Sequence, residues 1–113
     1  MLFQDLNLSN SINSAIIDLG FSEPTEIQEK TIPILMTYDG DFVGQAQTGT
    51  GKTASFVIPL LENIDFESKF VQSMILAPTR ELAKQVSEEI EKLSKYLPIK
   101  FFPITIPALL KRI

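Results

Sequence analysis

Neither cysteine nor histidine occurs among the 113 residues. The first absence excludes a disulfide framework and thiolate metal ligation, and the second removes the commonest imidazole base and metal ligand. Chemistry must come from other side chains. No uninterrupted apolar run approaches the ~20 residues that cross a bilayer. Met1-Leu2-Phe3-Gln4-Asp5 lacks the basic and apolar regions of a signal peptide, so the chain reads as cytoplasmic with no membrane partner. Its net charge of −4 argues against non-specific nucleic-acid binding through overall charge, although a local contact patch fits an acidic protein. Acid is missing from one end: after Glu91 come Lys92, Lys95, Lys100, Lys111 and Arg112 and no carboxylate. That basic excess reads first as helix-end lysines and a solvated tail.

The length suits one domain, and the 44% hydrophobic content is that of a globular chain. Ile12, Ala15, Ile16 and Leu19 recur at helical spacing, with Ser9 or Asn10 as cap and Gly20 suited to ending the helix. Phe21-Ser22-Glu23-Pro24 forms a turn, and Thr25 opens a second helix that Pro33 kinks or ends. Asp41 to Ala46 reads as a strand, Gln47 to Gly51 as a polar loop, and Lys52 to Asn63 as a helix kinked at Pro59. Val71 to Ala77 is a second apolar strand. A long helix follows, with Leu82, Val86, Ile90, Leu93 and Leu97 on one face, and Ile99 to Ile106 reads as a third strand. Strands alternating with helices predict an α/β fold, a mostly parallel sheet of about three strands flanked by helices.

Ala46-Gln47-Thr48-Gly49-Thr50-Gly51-Lys52-Thr53 fits the phosphate-loop pattern, with Ala46 where many such loops open on glycine. Gly49 and Gly51 let backbone N–H groups wrap a phosphate without side-chain obstruction, and the following helix aims its positive end at the same point. Lys52 reaches the β and γ phosphates, and the Thr53 hydroxyl can ligate Mg²⁺. The pattern specifies nucleoside triphosphate binding through residues 47–53 without choosing a base or a reaction.

Phe3, then Gly20-Phe21-Ser22-Glu23-Pro24-Thr25-Glu26-Ile27-Gln28, then the phosphate loop, resembles the Q motif of DEAD-box ATP-dependent RNA helicases. A carboxamide suits adenine: its oxygen accepts from the exocyclic amine while its nitrogen donates to N7, and guanine mismatches that pair. The resemblance implies that Gln28 holds the adenine edge, Phe21 stacks on its face, Phe3 supports the pocket and Thr25 braces the glutamine. Thr25-x-x-Gln28 is also a capping box, a purely structural use of the same two residues, and Phe3 serves equally as a plain hydrophobic anchor. Ala77-Pro78-Thr79-Arg80-Glu81-Leu82-Ala83 resembles motif Ia of the same family, which implies RNA-backbone contact through Pro78, Thr79 and Arg80. The bland alternative makes Thr79 a helix cap and Arg80 a solvated side chain.

On this resemblance, residues 1–103 are the N-terminal part of the first RecA-like P-loop domain, with ATP and Mg²⁺ as ligands and RNA as partner, and 104–113 are an atypical tail. The family's metal-holding carboxylate, at the end of a later strand, has no counterpart: no acid follows Glu91 and no glycine follows Gly51. The second RecA-like domain is absent too. The expectation is therefore an ATP-binding portion that does not hydrolyse ATP alone, with self-association through an exposed sheet edge. A non-catalytic RNA- or partner-binding module is the rival reading. A small nucleotide kinase fits poorly, because Arg80 and Arg112 are the only arginines.

Overall fold

The computed structural model describes residues 1–47 and 49–104. A 3-10 turn, Phe3–Leu6, precedes four helices: α1 (Asn10–Asp18), α2 (Glu26–Thr37), α3 (Lys52–Glu62) and α4 (Arg80–Leu93). Three of the four begin on a hydroxyl cap. Ser9 accepts from Ile12 N at 3.3 Å, Thr25 from Gln28 N at 3.4 Å and Thr79 from Leu82 N at 3.1 Å. The helix α1 ends at Gly20, whose φ of +77° places it in the left-handed region. Proline does not end α2 or α3: Pro33 and Pro59 both lie inside their helices.

Ile12 and Ile16 from α1, Ile32 from α2, Val57, Ile58 and Leu61 from α3, and Leu93 from α4 are fully buried and form one cluster. Phe3, Leu6 and Leu8 seal it from the amino-terminal segment. Each such side chain contributes about 1.5–3 kcal/mol by leaving water. The fullest helix pairing is α2 with α3, the two elements that carry Gln28 and Lys52.

The expected α/β sheet is not formed. Among the described residues none pairs into a strand, and 41–47, 71–77 and 99–104 are irregular backbone. The part of the third expected strand beyond residue 104 lies outside the described residues. A helix closes its own hydrogen bonds, but a strand needs a neighbour for every N–H and C=O. Apolar alternation expresses a preference for extension and supplies no partner. Helix packing, closed by the amino-terminal segment, builds most of the described core, and Val43, Phe70, Val71, Met74, Leu76, Phe102 and Ile104 stay exposed.

Two long-range polar contacts tie the helices together. The Glu62 carboxylate at the end of α3 accepts from Ser9 Oγ at 2.6 Å and from Ser9 N at 3.2 Å. An anion thus sits at the start of α1, where the helix dipole favours it. At the other end of α1, Asp18 accepts from Lys95 Nζ at 3.0 Å and from the Tyr96 hydroxyl. The Tyr96 hydrogen bond first, and that of Lys95 second, hold the Asp18 carboxyl below its ordinary value.

Replacing Ser9 by alanine removes both the cap and the Glu62 contact, and is expected to cost about 1 kcal/mol or slightly more in urea unfolding. Asp18 has a lowered folded-state pKa, so its contribution is complete above the ordinary aspartate value and is lost as pH falls through the folded-state value. The melting-temperature difference between wild type and Asp18→Asn should therefore be steady near neutrality and shrink only in acid.

Candidate functional site

Gln28 is 3% exposed, and its amide is engaged at both ends. Oε1 accepts from Thr25 N at 2.9 Å, completing the capping box, and Nε2 donates to Gly51 O at 3.1 Å. The cap therefore forms, and it does not exhaust the side chain. A carboxamide has two acceptor lone pairs and two N–H groups, so one of each remains.

Gly51 is shaped by this contact. Its φ is +79°, and a Cβ added there would lie 2.2 Å from Gln28 Nε2 and 3.2 Å from Thr25 Oγ1. Only glycine leaves room for the glutamine while adopting the left-handed turn that starts α3. The Gly51 carbonyl also accepts from Ser55 N at 3.3 Å, so one oxygen serves both the helix and Gln28. Gly49, with φ +81°, supplies the second left-handed position of the loop.

The remaining loop residues hold one another. Thr50 Oγ1 donates to Gln47 O at 2.6 Å, and Lys52 Nζ donates to Ala46 O at 3.1 Å across the loop. Lys52 is exposed, and Thr53 sits half-buried on the first turn of α3. Thr48 lies outside the described residues. No group of three or more His, Cys, Asp or Glu side chains able to hold a metal occurs among the described residues. Metal contact in this region would come from the Thr53 hydroxyl and from a nucleotide's own phosphates.

Phe3 and Phe21 meet as a stacked pair, with ring centroids 6.4 Å apart and 23° between planes. Phe3 is buried and its N donates to Ser22 O at 3.2 Å, whereas Phe21 is 41% exposed. Phe3 is thus the anchor and Phe21 the presented ring. The two also line an open cavity of about 310 Å³ with Leu2, Ile16 and Gly20. A second cavity, of about 260 Å³, lies between α2 and α3 and includes Thr31, Phe42, Lys52 and Phe56. Thr31 Oγ1 is buried without a hydrogen-bond partner.

The structure brings Thr25, Gln28 and Gly51 into direct contact, and Phe3 against Phe21. It joins no member of these groups to Pro78, Thr79 or Arg80 by hydrogen bond or ring contact. Those three are exposed at the start of α4, where the Thr79 oxygen caps the helix and its hydroxyl hydrogen remains available. Sequence reasoning missed the Glu62–Ser9 contact and the Asp18–Lys95–Tyr96 cluster, which join residues 53 and 77–78 positions apart. It also missed the steric demand of Gln28 on Gly51. The Gly51 pattern was visible, but as a phosphate-wrapping feature.

A family model described as DEAD/DEAH box helicase matches residues 25–106. The DEAD-box ATP-dependent RNA helicase CshA of Bacillus subtilis is 53% identical over 102 residues, which are 90% of this chain and 20% of that protein. Its counterpart from Geobacillus kaustophilus is 49% identical, with 22% of its length covered. The chain therefore spans about a fifth of the length of the curated relatives it matches. Among solved structures, a DEAD box protein from Methanococcus jannaschii matches 82% of this chain and 25% of its own, at 50% identity and TM-score 0.78. Dbp5 of S. cerevisiae, bound to RNA and ADP BeF3, matches 87% of this chain and 25% of its own, at 34% identity and TM-score 0.82. The family match covers well over half of the sequence and the relatives agree with it: this chain belongs to the DEAD-box helicases.

Proposed function

We propose that this chain is the adenine- and phosphate-binding portion of an ATP-dependent RNA helicase, and that in isolation it binds ATP or ADP without turning ATP over. The observation that carries the reading is the Gln28 amide held at 3.1 Å from the Gly51 carbonyl. It makes one buried side chain common to the base-reading and phosphate-wrapping segments.

In this reading Gln28 offers its remaining lone pair to the adenine amine and its remaining N–H to N7. Phe21 stacks on the base, with Phe3 fixing the ring from behind and Thr25 bracing the glutamine. The N–H groups of residues 47–53, Thr48 included, wrap the phosphates at the start of α3. Lys52 exchanges its Ala46 carbonyl for a β or γ phosphate oxygen, and Thr53 ligates nucleotide-bound Mg²⁺. Pro78, Thr79 and Arg80 offer a helix start, a hydroxyl and a guanidinium to an RNA phosphate, a contact that positions RNA without reading its sequence.

Hydrolysis needs a carboxylate that holds the metal and orients water, and positively charged groups around the transferring phosphoryl. These residues supply no acid after Glu91. The reading divides the chain into residues 1–103, which carry the three motifs, and 104–113, which depart from the family pattern.

Calorimetric titration of the purified chain with Mg·ADP is expected to show binding, and Lys52→Ala and Gln28→Ala are each expected to weaken it about tenfold or more. ATP turnover should stay at background in every form. Robust ATPase activity from the pure wild-type chain would overturn the proposal. RNA binding that survives Lys52→Ala and fails in Arg80→Ala would favour the rival RNA-binding module.

A further inference from the structure

Ser55 lies one turn into α3, is buried, and belongs to none of the three motifs. It is nevertheless bonded to both carbonyls at the junction of phosphate loop and helix. Its N donates to Gly51 O at 3.3 Å, and its hydroxyl donates to Lys52 O at 2.5 Å. The first of these is the opening hydrogen bond of the helix and would form with almost any residue at 55. The second is made by the serine side chain alone.

A peptide unit is planar and trans, so its C=O and its N–H point in opposite directions. The Gly51 carbonyl shares a plane with the Lys52 N–H, and the Lys52 carbonyl shares a plane with the Thr53 N–H. Holding the two oxygens therefore sets the direction of the two hydrogens. Both N–H groups lie ahead of the first intrahelical bond, where an α-helix has no acceptor of its own for them. They are donors of the kind that receive a phosphate at a helix start. The Gly51 oxygen is in addition the one that Gln28 Nε2 reaches, so its plane is held from two sides. The plane of the Thr53 N–H has the Ser55 hydroxyl.

We propose that Ser55 is a positioning residue for phosphate binding: its hydroxyl, by holding the Lys52 carbonyl, aims the Thr53 N–H at the nucleotide phosphate. The inference rests on the reading of residues 47–53 as the phosphate loop and extends that site one turn into the helix. A buried helical serine can return its hydroxyl to a preceding carbonyl merely to satisfy itself. Such a serine would affect stability and leave phosphate affinity alone, which makes the two roles separable.

The test compares Ser55→Thr with Ser55→Val in the 113-residue chain. The two side chains have nearly the same shape, but only threonine keeps a hydroxyl able to bond a carbonyl three residues back. Ser55 borders the cavity between α2 and α3, which leaves room for the added methyl. In calorimetric titrations Ser55→Thr should bind Mg·ADP as the wild type does, and Ser55→Val about fivefold more weakly. The same loss is expected with magnesium pyrophosphate, which engages the phosphate loop and has no base. Far-UV circular dichroism checks that both variants are folded; should Ser55→Val not fold, Ser55→Ala removes the hydroxyl without adding bulk. Equal affinity of the threonine and valine variants would overturn this inference alone, as would a loss seen with Mg·ADP and not with magnesium pyrophosphate. A wild-type chain that binds neither ligand would overturn the nucleotide-binding reading and this inference with it.

Discussion

A buried carboxamide has four hydrogen-bonding capacities to satisfy, and Gln28 meets two of them with backbone groups from different parts of the chain. One partner is the N–H that opens α2. The other is the carbonyl that opens α3. The starts of the two best-packed helices are thereby tied to a single planar group, and the left-handed Gly51 follows from the space that group takes up. Lengthening this contact by an ångström would leave a polar group buried and unpaired, which costs about 1–3 kcal/mol. The same geometry makes any displacement of the Gly51 carbonyl felt at Gln28.

Around that centre the molecule is a helical assembly pinned by polar contacts at helix ends. Glu62 holds the start of α1 to the end of α3, and Lys95 with Tyr96 holds the end of α1 beside the end of α4. The amino-terminal segment then lies where Phe3 can back Phe21. Phe21 is consequently a ring with one side supported and the other toward solvent, an arrangement suited to stacking on a flat apolar partner.

Much of the helical framework was legible because helix signals are local. Ser9, Thr25 and Thr79 cap within three residues of their own position, and Gly20 ends α1 through its own backbone angle. Gln28 illustrates the limit of local reading. Its capping and base-reading uses appeared as rivals in sequence, whereas its geometry satisfies the first and leaves capacity for the second. The sheet was misread for the opposite reason. Val71 to Ala77 has the composition of a strand, but strand formation depends on a neighbour, and composition says nothing of where that neighbour is. The contacts of Ser9 and Asp18 were equally invisible, since no local pattern joins residues more than fifty positions apart.

Nitrogen-15 spectroscopy of the Gln28 side-chain amide tests the coupling of base reading to phosphate wrapping most directly. On titration with Mg·ADP, the Gln28 side-chain amide and the Gly51 backbone amide should shift together and saturate at the same concentration, and Mg·GDP should move both only weakly. A Gly51 signal that responds fully to ADP while the Gln28 amide stays unmoved would make the glutamine a helix cap and nothing more, and would contradict the account.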